Sequence, residues 1–344
     1  MIEELNERSR NILGAIIEDF IETGEPVGSR AITRRHKMNL SPATVRNVMS
    51  DLEEAGFLYS PHTSAGRIPT EKGYRFYVDS LAHFREPGVL LEKEFAEGRF
   101  LEGMGLEERL QRAGRILSAT SSYAGIVSAP SFDGTVFRHI EFVKLSEQKI
   151  LAILVSRSGA VQNKIVESLE PISSGDLEKI TNFVNSRLTG LTIREVKELI
   201  VREMAREKAL YDTLYRRAFL LSQKALEDHP EADIFIEGAS NILEQPEFAD
   251  LERMKKLFRA FEQKNLLVKL LDQCRGADGI RVFIGSEFDL VELEGCSLVT
   301  STYASVSGIS GTLGVLGPSR MPYSAVIPLV YQSARLVSRF LEEE

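Results

Sequence analysis

Between positions 5 and 23 the apolar residues Ile12, Leu13, Ile16, Ile17, Phe20 and Ile21 recur at intervals of three and four, the period of one buried helix face. Gly24 closes that stripe, because a residue without a Cβ takes the left-handed turn that ends a helix. A short second helix is expected from Ser29 to about His36, with Ala31 and Ile32 inward. After the turn 37–40, Ser41-Pro42 starts a third: the serine hydroxyl caps an orphan N–H, and proline fits the first helical position. Val45, Val48, Met49 and Leu52 share its inner face, and Gly56 stops it after about Ala55. Residues 57–59 and 67–69 read as short strands flanking a turn-rich tip at 60–66. Thr70 then caps a fourth helix with Tyr74, Tyr77, Val78 and Leu81 inward. Three helices, a two-stranded wing and a closing helix are the pattern of a winged helix-turn-helix over residues 1–82.

Beyond it, residues 83–104, with Pro87, Gly88, Gly98 and Gly103, read as a linker. A helix is expected over 105–121 and strands over 137–145, 149–155 and 160–167, separated by turns short enough for hairpins. Ile150 to Val155 is apolar on both faces, which suits a central strand. Residues 173–227 have helical periodicity, 234–236 form a short strand, and 250–273 read as one long amphipathic helix. Strands return at 280–284, 297–304 and 309–316 before a final helix at 323–341. This order predicts an α+β multidomain chain: a sheet domain in two parts, 105–190 and 276–344, interrupted by a mostly helical insertion at 191–275. On the long helix Leu251, Met254, Leu257, Phe258 and Phe261 make an apolar seam, the candidate dimer contact.

The chain has 344 residues, 43% of them apolar and 27% charged, which excludes disordered and low-complexity classes. No apolar run reaches the ~18 residues of a membrane span, and the start lacks the basic segment of a signal peptide, so a cytoplasmic location without membrane contact is expected. The net charge of −8 argues against a nucleic-acid partner until its distribution is read. Residues 27–50 carry Arg30, Arg34, Arg35, Lys37 and Arg46 without one acid, and 57–70 hold Arg67 and His62, again acid-free. The acids flank these stretches. Ala43, Thr44, Arg46, Asn47 and Ser50 fall on the outer face of the third helix, and they are the residue types that read a major groove. Arginine bonds guanine O6 and N7 together, asparagine adenine N6 and N7, and small side chains meet a thymine methyl. The candidate DNA-contacting set is therefore Ser29, Arg30, Arg34, Arg35, Ser41, Ala43, Thr44, Arg46, Asn47, Ser50, His62 and Arg67, the last reaching phosphate or the minor groove from the wing.

Three stretches, Glu22-Thr23-Gly24-Glu25-Pro26-Val27-Gly28-Ser29-Arg30, Leu40-Ser41-Pro42-Ala43-Thr44-Val45-Arg46-Asn47 and Pro61-His62-Thr63-Ser64-Ala65-Gly66-Arg67-Ile68-Pro69-Thr70, resemble the HrcA-type heat-inducible transcription repressors of bacteria. The resemblance continues through Phe235-Ile236-Glu237-Gly238-Ala239-Ser240-Asn241 and Leu313-Gly314-Val315-Leu316-Gly317-Pro318-Ser319-Arg320-Met321. It implies repression of chaperone operons by a homodimer on an inverted-repeat operator of double-stranded DNA, with a GroEL-type chaperonin keeping the repressor active. It also implies a GAF-like sheet domain with an inserted dimerisation domain.

Catalysis has no handle: the five histidines are scattered, and there is no H-E-x-x-H, C-x-x-C or G-x-S-x-G. Gly308, Gly311, Gly314 and Gly317 recur every three residues without the lysine of a phosphate loop and read as turns and bulges. Cys274 and Cys296 read as buried apolar groups. No cofactor or metal is expected. The alternative to a DNA reader is a winged-helix regulator that docks a protein or senses a small ligand.

Overall fold

The computed structural model describes residues 5–62, 66–81, 105–168, 170–206, 213–226, 234–274, 279–288 and 290–342. The expected linker 83–104 and the wing-tip residues 63–65 lie outside the described residues. The chain is α+β and divides into two compact units, one of residues 1–129, 234–303 and 312–337, the other of 130–233, 304–311 and 338–344.

The first unit opens with a helical head. Helix α1 (Glu7–Thr23) starts where the Asn6 side chain accepts from the Ser9 N–H at 2.9 Å and ends at Gly24, φ 69°. Helix α2 (Ser29–Arg35) follows, then α3 (Pro42–Glu54), where the Ser41 hydroxyl accepts from the Thr44 N–H at 3.1 Å. Ile12, Ile16, Ile17, Ile32, Val45 and Leu52 are almost wholly buried between them, each contributing ~1.5 to 3 kcal/mol of apolar burial. Strands β1 (Leu58–Tyr59) and β2 (Ile68–Pro69) pair antiparallel, and α4 (Glu71–Leu81) closes the head, so every element expected of residues 1–82 is present in order.

Helix α5 (Leu106–Ser121) leads into β3 (Ala124–Ser128), a strand the periodicity does not reveal. Its five residues are all buried, so polar and apolar positions do not alternate, and a glycine and a serine stand among them. Gly125 is there because a Cβ at that position would lie 2.2 Å from the Gly114 carbonyl oxygen of α5.

In the second unit β4 (Phe137–Lys144), β5 (Lys149–Ser156) and β6 (Val161–Glu167) form an antiparallel meander with β5 central. Its inner face carries Phe137, Ile140, Phe142, Ile150, Leu154 and Val166. They pack on α6 (Ser174–Leu188), α7 (Ile193–Arg206) and α8 (Thr213–Leu226).

The first unit resumes with β7 (Ile234–Glu237), the short helix α9 (Ala239–Leu243), α10 (Leu251–Glu262) and α11 (Lys264–Cys274). Then come β8 (Ile280–Ile284), β9 (Cys296–Ala304), β10 (Ser310–Pro318) and α12 (Tyr323–Glu342). Its sheet has the order β7-β3-β10-β9-β8. This differs from the expected sheet, in which 137–167 and 280–316 were to combine. Among the described residues the meander strands pair with one another and not with the five-stranded sheet, and their apolar face is buried by α6, α7 and α8 instead. The longest segment of the second unit, residues 130–233, separates the first two segments of the first unit.

The expected helix over 250–273 is two helices, broken at Gln263, where φ is −85° and ψ 63°. A straight helix of that length would reach ~36 Å, whereas five strands ~4.8 Å apart span roughly 20 Å. The break lets Leu257 and Ala260 of α10 and Leu267, Leu270 and Leu271 of α11 all face the sheet.

Candidate nucleic-acid interface

On α3 the inner positions Val45, Val48, Met49 and Leu52 are buried, and Ala43, Arg46, Asn47 and Ser50 are exposed, with Thr44 half-buried. The exposed strip has no acid until Asp51. The helix therefore presents its N-terminal half, with the positive end of its dipole, as an uncompensated basic surface. Ser41 is exposed, and its hydroxyl lies 2.9 Å from that of Thr44 as well as capping the helix. Arg30, Arg34 and Arg46 are exposed, and among the described residues none of them forms an ion pair. Ser29, by contrast, is buried at the start of α2 and presents little to a ligand.

The angle between α1 and α2 is fixed by a buried acid. Asp19 lies within 3.4 Å of Arg35 Nη1 and 3.1 Å of His36 Nε2, and Glu22 stands 3.5 Å from the same arginine nitrogen. Arg35 is thus partly committed within the head.

The wing is anchored on both sides. Val27 and Arg67 exchange two backbone hydrogen bonds of 2.9 Å, and a Cβ on Gly66 would sit 2.4 Å from the Val27 carbonyl oxygen. The Arg67 side chain, expected to be available to phosphate, instead donates from Nε to Glu53 Oε2 at 2.8 Å, with Nη2 at 2.7 Å from the same oxygen. The carboxylate belongs to the last turn of α3, so the pair braces wing to helix and neutralises the wing's cation. Lys72 also closes this corner, donating to the Ala55 carbonyl at 2.7 Å with its ammonium 4.4 Å above the Phe57 ring. His62 is exposed at the edge of the tip. Sequence reasoning missed the Asp19 and Glu53 partners. The only signal was that acids lie one or two helical turns beyond the basic stretch, which does not say which cation each one meets.

Of the seam on α10, Leu251 and Phe258 are exposed, Met254 is half-buried, and Leu257 and Phe261 pack into the chain's own sheet core.

The head has the elements of a winged helix, with exposed basic residues on α2 and α3 beside a braced two-stranded wing. The family model described as the HrcA protein C terminal domain matches residues 107–327. The heat-inducible transcription repressor HrcA of Geobacter sulfurreducens is 54% identical over 342 residues, covering 99% of each chain. That of Syntrophobacter fumaroxidans is 42% identical over 344 residues, again covering 99% of each. A crystal structure described as that of a hypothetical protein shares the fold, with a TM-score of 0.59 over 100% of this chain and 99% of its own at 23% identity. The chain belongs to the HrcA family of heat-inducible transcription repressors. Among the described residues no helix is long and apolar enough to cross a membrane.

Proposed function

We propose that this protein represses chaperone operons by binding an inverted-repeat operator in double-stranded DNA as a homodimer, with α3 in the major groove and the wing over the adjacent backbone. The observation that carries the reading is the exposed, acid-free N-terminal half of α3, which holds Arg46 and is flanked by Arg30 and Arg34 of α2, none of the three in an ion pair among the described residues. In an acidic chain, cations left without partners on one face are the expected footprint of a phosphate-bearing ligand. Arg46 and Asn47 read base edges, Ala43, Thr44 and Ser50 line the groove, and Ser41, Arg30, Arg34 and His62 meet backbone, with Arg35 at the margin. Arg67 is a brace whose charge is already compensated. A GroEL-type chaperonin keeping the repressor active remains part of this reading.

The five-stranded sheet is the part read as GAF-like, and the 130–233 unit as the insertion. Homodimerisation is better supported on the outer face of its meander than on α10. Val143, Val161 and Ile165 are exposed there, and Val143 and Ile165 flank Leu151 in one cross-strand row. Exposed apolar rows on a sheet mark a contact surface. Ile165→Glu is expected to give monomers by light scattering while Phe258→Glu stays dimeric.

The DNA reading is tested by mobility shift on a duplex enriched by the protein from a random library, at low and high salt. Steep loss of affinity with salt, and loss of discrimination in Arg46→Ala, are expected. Salt-independent binding, or no enrichment, would favour the protein-docking alternative.

A further inference from the structure

Within the first unit the head is held to the sheet by residues far apart in the sequence. Arg75 of α4 donates from Nη2 to the Val282 carbonyl at 2.6 Å and from Nε to Glu287 Oε1 at 2.8 Å, and Nη2 also meets Glu287 Oε2. One turn earlier on the same helix, Glu71 accepts from the Ser286 N–H at 3.2 Å and its hydroxyl at 2.6 Å, and so caps the 3-10 turn Gly285–Phe288. That approach is so close that a Cβ on Gly285, φ 54°, would fall 1.7 Å from Glu71 Oε1. On α1 of the head, Arg320 donates from Nη1 to the Ile21 carbonyl at 2.6 Å, in the last turn of that helix, while Nε meets Glu247. A cation at a helix C-terminus satisfies an orphan carbonyl and opposes the dipole. Gly24 supplies the left-handed φ of 69° at this helix end, and a Cβ there would lie 3.5 Å from Arg320 Cζ, in ordinary contact. Between the two arginines Tyr74 packs on Tyr323, ring centroids 6.0 Å apart.

One contact would leave the head free to swivel. Two arginine anchors that hold different helices of the head, α1 through Arg320 and α4 through Arg75, together with the aromatic pair, restrict it to one orientation on the sheet. A head free to swivel on the sheet would let a dimer reach half-sites at several separations, and a head held in one orientation removes that freedom, since rotating a half-site around the duplex moves it off the reading helix.

We propose that Arg320 and Arg75 are positioning residues that lock the reading head onto the five-stranded sheet and so fix the operator half-site spacing this repressor accepts. The inference rests on the DNA-reading function above, and its test includes a measurement that needs no DNA.

The full-length protein is compared as wild type, Arg75→Ala/Arg320→Ala and the charge-keeping Arg320→Lys. First, a dye is placed at Asn39→Cys on the head, and its anisotropy decay is recorded without DNA. The double variant is expected to show an added fast rotation of the head that wild type lacks. An identical decay in a folded double variant would overturn the proposal whatever the protein binds. Second, an inverted repeat enriched by the wild type is remade with about half a helical turn, ~5 bp, inserted between its half-sites. Wild type is expected to lose more than ~10-fold in affinity, the double variant less than ~3-fold, and Arg320→Lys to fall between, with single half-site binding equal in all three. Parallel spacing profiles in wild type and double variant would refute the positioning role. Failure of wild type to enrich any inverted repeat would instead remove the DNA reading, leaving the anisotropy result to judge the lock alone.

Discussion

The Arg67 and Glu53 pair allows the electrostatics of the head to be tested quantitatively. Both side chains are largely shielded, at 25% and 32% exposure, and the nitrogen to oxygen distance is 2.7 Å. A partly exposed pair of this kind is worth on the order of 1 kcal/mol after solvent screening. It is therefore weak enough to be removed without unfolding the head. Replacing Glu53 by Gln keeps an acceptor of the same shape and deletes the charge, leaving Arg67 as an additional free cation beside α3. Each phosphate newly neutralised on duplex DNA steepens the slope of log affinity against log salt by ~0.9. Fluorescence anisotropy titrations on random-sequence duplex across a salt series give that slope directly. Glu53→Gln is expected to steepen it by ~0.9, and Arg67→Ala added to Glu53→Gln to remove the gain. Arg67→Ala alone should change it by a third of that or less, because its charge is already balanced. If Arg67→Ala alone flattened the slope by ~0.9, the ion pair would not be restraining the wing, and the reasoning would fail.

Arg46→Ala or Asn47→Ala should lose ~1 to 3 kcal/mol on the enriched operator and much less on random duplex, checked by paired titrations. Gly125→Ala should lower the unfolding midpoint by the equivalent of ~1 to 3 kcal/mol, since its Cβ meets the Gly114 carbonyl. Gly14→Ala, in open space within α1, should instead raise head stability by up to ~1 kcal/mol in a denaturant titration. Burial pushes the Cys296 thiol up to about 12 and raises that of Cys274 as well. Both thiols thus stay neutral near pH 8, and a thiol reagent should count none rapidly in the native protein and two after denaturation.

How much was legible differs between the two halves of the chain. In the head nearly all of it was, because each element there carries its own signals: the Ser41-Pro42 start, the Gly24 stop, and an apolar stripe on each helix. The exposed face of α3 followed from the same periodicity. What could not be read there was the pairing of charges. An acid and a base are attractive partners at any separation in sequence, and only the packing of α1 on α2 and of the wing on α3 brings Asp19 to Arg35 and Glu53 to Arg67.

Across the rest, the sequence determined that strands lie at 137–167 and 280–316, that the region between them is helical, and that the basic positions of the head are segregated from the acids. Periodicity reports which face of an element is buried, and it is local. Tertiary structure alone decided which strands share a sheet, that β3 with its buried glycine is one of them, and that the helix at 250–273 breaks at Gln263 to stay on that sheet. It also decided that Arg320 and Arg75 grip the head, since their partners Ile21 and Glu287 are brought to them by the fold and not by the chain. Those contacts are set by distance in space, which no local pattern of side chains encodes.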